Sequence, residues 1–120
     1  MTHIDSTTFG SITIDGKKFH QVLIIGDKII ERDAQKLNTL FNTTHFIGDW
    51  EIELLLKEKP DVIIIGNGQS GVLKVTEQVK KNLTSKGINL EIFLTRKAIE
   101  KYNLLRSSGK KVNALFHTTC

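Results

Sequence analysis

Short apolar runs separated by turn residues fill the first quarter of the chain. The runs Ser11 to Ile14 and Lys18 to Ile25 flank the dipeptide Asp15-Gly16, and both turn residues tolerate the positive φ that a tight turn requires. A second break at Gly26-Asp27 precedes the run Lys28 to Glu31. The pattern predicts an N-terminal antiparallel hairpin that leads into a sheet.

The segment from Arg32 to Asp49 has no clear period and is rich in Asn and Thr. It predicts a long loop with one helical turn around Gln35 to Phe41. Asp49 is then predicted to cap a short helix, because apolar residues recur at helical spacing between Ile52 and Leu56. Pro60 ends this helix, since proline cannot continue it.

Residues 61 to 94 have the pattern of a β-α-β unit. Val62 to Ile65 are four consecutive β-branched residues, which is typical of a strand buried on both faces. After a glycine turn, apolar residues at helical spacing predict a helix that ends near Gly87: Val72, Val75, Val79 and Leu83. Leu90 to Leu94 is the next strand, and the crossover between the two parallel strands is expected to be right-handed.

The last part of the chain adds one helix and one strand. Thr95 is predicted to cap a helix that carries Ala98, Ile99, Tyr102 and Leu105, and Val112 to His117 is the final strand. The expected fold class is therefore α/β: a single three-layer domain over residues 1–120, with a central mixed β-sheet, an N-terminal antiparallel hairpin, one β-α-β crossover and flanking helices.

Composition and charge fit an ordinary globular domain. Hydrophobic residues make up 39% of the chain and charged residues 25%. The formal net charge is +4, but the basic residues are scattered and most Phe residues lie in apolar, strand-like runs, so no nucleic-acid partner is expected. The lone Cys120 cannot form an intramolecular disulfide, which is typical of a reducing compartment. Without a secretion signal or an apolar stretch of about 18 residues, we expect a cytoplasmic protein with no transmembrane segment.

The sequence Gly66-Asn67-Gly68-Gln69-Ser70-Gly71 matches the pattern G-x-G-x-x-G between a predicted strand and a predicted helix. Glycines let the backbone approach a phosphate, and the N-H groups at a helix start attract anions. A dinucleotide site is disfavoured, because Leu94 and Thr95 stand where the ribose-binding acidic residue belongs. An anion or polar-ligand site and a purely structural tight turn both remain open.

His45, His117 and Cys120 have side chains that can ligate metals or move protons, but their spacing does not form a metal motif. Neither a metal site nor a cofactor is predicted. His117 stays a candidate because a strand end can face a crevice. Tyr102 could lie on the same side of its helix as Thr95.

Several segments taken together resemble one known family: Phe9-Gly10, Ile14-Asp15-Gly16, Pro60 to Gly68, Thr95 with Ala98 and Tyr102-Asn103, and His117-Thr118-Thr119-Cys120. This is a family of small proteins of unknown function from archaea and bacteria, whose eukaryotic relatives include a mitochondrial assembly factor for respiratory complex I and an adipogenesis-associated protein. The resemblance implies a compact three-layer fold and a role in assembly or protein interaction. Asn67 stands where the family usually has Thr.

Two functions follow from these observations. The favoured one is a non-enzymatic accessory protein that binds another protein, as the resemblance implies. The alternative is a binder of an anionic small molecule, or an enzyme, that uses a crevice at the glycine turn. The crevice residues expected from the motif and from the resemblance are Gly66, Asn67, Gly68, Gly71, Thr95, Ala98, Tyr102, Asn103 and His117.

Overall fold

Two β-sheets and four helices make up the fold in a computed structural model that describes residues 2–120. The strands are β1 (Ile4–Thr8), β2 (Ser11–Ile14), β3 (Lys17–Phe19), β4 (Val22–Ile25), β5 (Lys28–Glu31), β6 (Val62–Asn67), β7 (Asn89–Phe93) and β8 (Val112–His117). The helices are α1 (Ala34–Phe41), α2 (Asp49–Leu55), α3 (Glu77–Thr84) and α4 (Thr95–Ser107).

The central sheet has five strands in the order β5-β4-β8-β6-β7. Strand β8 lies in the middle, where it runs parallel to β6 and antiparallel to β4. The β-branched run Val62 to Ile65 is buried along its whole length, which explains why β6 carries no polar alternation. The predicted mixed sheet and the parallel β6-α3-β7 crossover are confirmed.

A smaller antiparallel sheet contains β1, β2 and β3. The hairpin β2-β3 turns at Asp15 and Gly16, which have φ values of 47° and 80°. The predicted continuous strand from Lys18 to Ile25 is wrong, because the chain bends at His20-Gln21 and changes sheets. Phe19 pairs with Ile12 in the small sheet, whereas Val22 pairs with Phe116 in the central sheet.

Helices and the small sheet cover both faces of the central sheet, which gives the three layers. On one face, the buried side chains of the central sheet pack against α4 and against Ile4, Ile12 and Ile14 of the small sheet. On the other face, Ile63, Ile65 and Leu115 pack against side chains of α2 and α3. The described chain is therefore one compact α/β domain.

Helix α3 is shorter than the sequence predicts. It begins at Glu77, where the Thr76 hydroxyl accepts a hydrogen bond from the Val79 N-H, and residues 68–76 are irregular. Val72 is 38% exposed, while its neighbour Leu73 is buried beside β6 and donates its N-H to the Asn67 carbonyl. The helix predicted from Val72 onwards is therefore a loop up to residue 76 and a helix only from Glu77.

Two predicted helix caps are also wrong. Gly48, not Asp49, precedes α2, and the Glu51 carboxylate accepts the Gly48 N-H at 3.0 Å. Thr95 is the first residue of α4 rather than its cap, because its hydroxyl is engaged elsewhere. Among residues 2–120, no helix is long and apolar enough to cross a bilayer; α4 has 13 residues.

Candidate functional site

The glycine turn wraps around the last residues of the chain. The N-H groups of Gln69 and Ser70 donate to the main-chain oxygens of Thr119 and Cys120 at 2.8 Å and 2.6 Å. The Val72 N-H donates to the same Cys120 oxygen at 3.2 Å. The donors that could hold an anion are thus already bonded to the protein's own main-chain oxygens.

Two glycines of the motif are required by close approach of other groups. A Cβ at Gly66 would lie 2.9 Å from the Phe116 ring and 3.0 Å from the Thr95 hydroxyl. Gly68 has φ +113°, and a Cβ there would lie 2.5 Å from the carbonyl carbon of Cys120. The structure therefore explains both glycines without a ligand.

Thr95 joins the turn to β8 through its side chain. Its hydroxyl accepts the Gly68 N-H at 2.9 Å and donates to the His117 carbonyl at 2.5 Å. The Thr95 N-H donates to the Gly68 carbonyl at 3.1 Å. Because Thr95 is fully buried, these bonds satisfy groups that water cannot reach.

His117 is also fully buried and has partners on both ring nitrogens. Nδ1 lies 2.6 Å from Gln21 Oε1 and Nε2 lies 3.1 Å from the Thr119 hydroxyl. Burial, together with the charge of Arg32 and the neighbouring His45, lowers the pKa of His117 to about 4. The ring is therefore neutral at pH 7, with Nδ1 donating to the Gln21 amide oxygen.

A buried ion pair lies behind His117. Arg32 Nε and Nη2 donate to Glu51 Oε2 and Oε1 at 2.7 Å and 2.9 Å, and both side chains are almost completely buried. Arg32 Nη1 also donates to Gln21 Oε1 at 2.8 Å, which links the pair to His117. The sequence alone does not indicate this pair, because nothing in the irregular 32–49 segment distinguishes Arg32 from its charged neighbours.

Arg32 also fixes the loop that follows α1. Its guanidinium donates to the carbonyl groups of Thr44 and Phe46 at 3.1 Å and 2.8 Å. The loop in turn places the His45 ring edge-on to His117, with 5.2 Å between the ring centroids. The cluster of Gln21, Arg32, His45, Glu51 and His117 is therefore a connected polar network inside the fold.

The residues expected to line one crevice fall into separate groups. Gly66, Asn67, Gly68, Thr95 and His117 lie together, with Asn67 paired to His117 across β6 and β8. Gly71 adjoins this group and Leu94, because a Cβ on Gly71 would be 3.7 Å from the Asn67 amide and 3.1 Å from the Leu94 side chain.

Ala98, Tyr102 and Asn103 lie elsewhere. Ala98 and Tyr102 belong to the core under α4, where the Tyr102 ring packs edge-on against Phe116. Burial raises the pKa of Tyr102 to about 12, which disfavours its use as an acid or base near neutral pH. The Asn103 side chain holds β1, because it accepts the Ile4 N-H at 3.0 Å and donates to the Ile4 carbonyl at 2.8 Å.

Three large apolar side chains are exposed around the glycine turn: Phe9 (68%), Val72 (38%) and Leu94 (51%). Phe9 is held at this end because the N-H of its neighbour Gly10 donates to the Thr118 carbonyl at 2.9 Å. Leu94 lies beside Gly71, the residue before Val72, because a Cβ at Gly71 would be 3.1 Å from the Leu94 side chain. We call Phe9, Val72 and Leu94 the turn-end surface.

Within residues 2–120, no group of three or more His, Cys, Asp or Glu side chains is arranged to hold a metal ion. The His117 ring is hydrogen-bonded within the polar network, and the His45 ring packs edge-on against it.

The chain belongs to a family described as "Protein of unknown function (DUF498/DUF598)", whose model matches residues 4–117. This match covers every strand and helix of the fold. The family assignment therefore rests on the domain as a whole.

Solved structures show the same architecture. A protein named MT938 is 28% identical, with each chain covered over 100% of its length and a TM-score of 0.79. The conserved hypothetical protein PH1505 from Pyrococcus horikoshii OT3 is 29% identical, with 98% of each chain covered and a TM-score of 0.80. A protein called an outer membrane protein, from Bartonella henselae, is 21% identical over 98% of this chain and 94% of its own, with a TM-score of 0.78, and shows the fold alone.

Proposed function

We propose that the chain is a non-enzymatic accessory domain that binds another protein through the turn-end surface. The observation that carries this proposal is the exposure of Phe9, Val72 and Leu94 at one end of the fold. Large apolar side chains grouped on a surface are typical of protein-interaction sites, because burying them on binding is favourable. The family that the sequence resembles has an assembly factor among its eukaryotic relatives, which supports the same kind of role.

The alternative, an anionic ligand at the glycine turn, is less well supported. An anion would have to displace residues 119 and 120 from the N-H groups of Gln69, Ser70 and Val72. His117, the candidate for moving a proton, is buried and neutral. Both observations favour a structural role for the turn.

The charges beside the turn-end surface indicate the chemistry of the partner. Arg96 lies in the first turn of α4, which contains no acidic residue, and Lys74 lies two positions after Val72, while Lys97 is paired with Glu100 at 3.9 Å. The positive end of the helix dipole adds to the charge of Arg96. We therefore expect a partner segment that combines apolar side chains with carboxylates.

The test compares two exposed leucines close in sequence. Leu94→Ser removes an apolar side chain from the turn-end surface, whereas Leu104→Ser removes one that is 60% exposed about 15 Å further along α4. Wild type and both variants, each carrying an N-terminal tag, would be used for quantitative affinity purification from the source cells.

The proposal expects that proteins enriched with wild type are lost with Leu94→Ser and kept with Leu104→Ser. Melting curves of the purified variants would show that both are folded. Equal enrichment with all three proteins would contradict the proposal.

A further inference from the structure

A cavity of about 390 Å³ lies at the opposite ends of the central strands, away from the turn-end surface. Its walls come from the β4-β5 turn, the segment after α2, and the end of α4 with the turn that leads into β8. The charged side chains that line it are Asp27, Glu58, Arg106, Lys110 and Lys111. The volume is within the range of about 300–1,000 Å³ typical of small-molecule sites.

Two of the cavity's charges neutralise each other. Arg106 donates to the Asp27 carboxylate and to the Gly26 carbonyl, the latter at 2.8 Å. Hydrogen bonds from Thr2 and Arg106 hold the pKa of Asp27 below its usual range, so this carboxylate stays ionised and paired. The Arg106 side chain is only 12% exposed and uses two of its five N-H groups in these bonds.

The other charges in the cavity are not paired. Among residues 2–120, no carboxylate oxygen lies within 4.0 Å of the ammonium groups of Lys110 or Lys111. Glu58 also has no cationic partner there, and its carboxylate faces Gly26, where a Cβ would lie 3.2 Å from Oε1. The cavity thus has two free cations and one separate free carboxylate.

The backbone that carries Glu58 is unusual. Glu58 and Lys59 have φ values of 63° and 48°, which residues other than glycine rarely adopt. The Asn113 amide holds this segment by donating to the carbonyl groups of Leu55 and Lys57 at 2.9 Å and 2.8 Å. Strained residues of this kind are concentrated at ligand sites, where the surrounding structure holds them in place.

We propose that this cavity binds a small hydroxylated organic anion. The phosphate or carboxylate group lies toward Lys110 and Lys111, and the unused N-H groups of Arg106 add further donors. A hydroxyl group of the ligand donates to the Glu58 carboxylate, which would otherwise repel the anion. A simple inorganic anion satisfies only the first of these requirements.

The experiment is an NMR titration of the full chain with three probes: glycerol 3-phosphate, glycerate and glycerol. Either anion, at concentrations up to about 10 mM, should give saturable shifts of the Gly26, Gly109 and Lys111 amides, whereas uncharged glycerol should give none. Binding of glycerol 3-phosphate alone identifies the anionic group as phosphate, and binding of glycerate alone identifies it as carboxylate. The absence of saturable shifts with both anions overturns the proposal.

A matched pair of variants locates the site. Lys110→Gln with Lys111→Gln should weaken anion binding about tenfold or more, since two direct charge contacts are lost. Lys17→Gln with Lys18→Gln changes the net charge equally on exposed residues of β3 and should leave the dissociation constant unchanged. Equal weakening in both double variants would show a general charge effect and would also overturn the proposal. This test does not involve the turn-end surface, so its result is independent of the proposed protein interaction.

Discussion

His117 makes the stability of the fold depend on pH, because its buried ring is neutral in the folded chain and can be protonated when the chain unfolds. Its pKa falls from an ordinary 6.5 to about 4 on folding. Between these two pH values the unfolded chain binds a proton that the folded chain does not. The free energy of unfolding must therefore fall as the pH falls through this window, and the loss levels off below pH 4.

The size of the effect follows from the two pKa values. The loss attributable to His117 is about 1 kcal/mol at pH 6, about 2 kcal/mol at pH 5 and about 3 kcal/mol at pH 4. Because the side chain is buried, solvent screens its interactions only weakly. The cationic Arg32 and the nearby His45 lower the pKa of His117, as burial does. Glu51 is already paired with Arg32.

Urea denaturation at a series of pH values measures this loss. Carboxylates also titrate here, so the informative quantity is the difference in unfolding free energy between wild type and His117→Gln, which cannot be protonated. This difference should shrink by about 2 kcal/mol from pH 7 to pH 5. His20→Gln, which changes an exposed histidine, should leave the pH dependence as in wild type.

A difference that stays constant between pH 7 and pH 4.5 would refute the reasoning. If His117→Gln does not fold, a direct NMR titration of the imidazole in the wild-type protein gives the same answer. A midpoint near pH 6.5 would then show that burial and Arg32 do not depress the pKa of this ring.

Two further predictions concern buried polar groups. Thr95→Val should lower the free energy of unfolding by about 1–3 kcal/mol, because the Gly68 N-H and the His117 carbonyl lose the hydroxyl that bonds to both. Urea denaturation measures this loss, and Thr84→Val on the exposed face of α3 is the control. Glu51→Gln should lower the free energy of unfolding by about 3–5 kcal/mol, since Arg32 would keep a buried charge without its counter-charge. A thermal midpoint equal to that of wild type would contradict this account of the pair.

Much of the central sheet could be predicted because its strands have strong local patterns. The run Val62 to Ile65 predicts a doubly covered strand without reference to the rest of the chain. Strand β1 has no such signal: of Ile4–Thr8 only Ile4 is buried, and an Asn103 side chain 99 positions away holds its backbone. Elements of this kind form through tertiary contacts rather than local propensity.

The glycine motif shows the same limit at the candidate site. Its spacing indicated a tight turn and a close approach by another group, and Gly68 and Gly71 have φ of 113° and 78°. The approaching group is the segment from Thr119 to Cys120, which lies about 50 positions away in the sequence. No pattern within the motif can distinguish a carbonyl of the same chain from the oxygen of a ligand. The ligand role of these residues therefore stays a prediction.

The central position of β8 also has a consequence for synthesis on the ribosome. The pairs β4-β5 and β6-β7 leave the exit tunnel first, yet neither can join the other until residues 112–117 arrive to lie between them. During that interval the edges of Val22–Ile25 and Val62–Asn67 have unpaired backbone groups and strongly apolar side chains. Nascent chains stalled before residue 112 are therefore the species most exposed to aggregation and to chaperone binding.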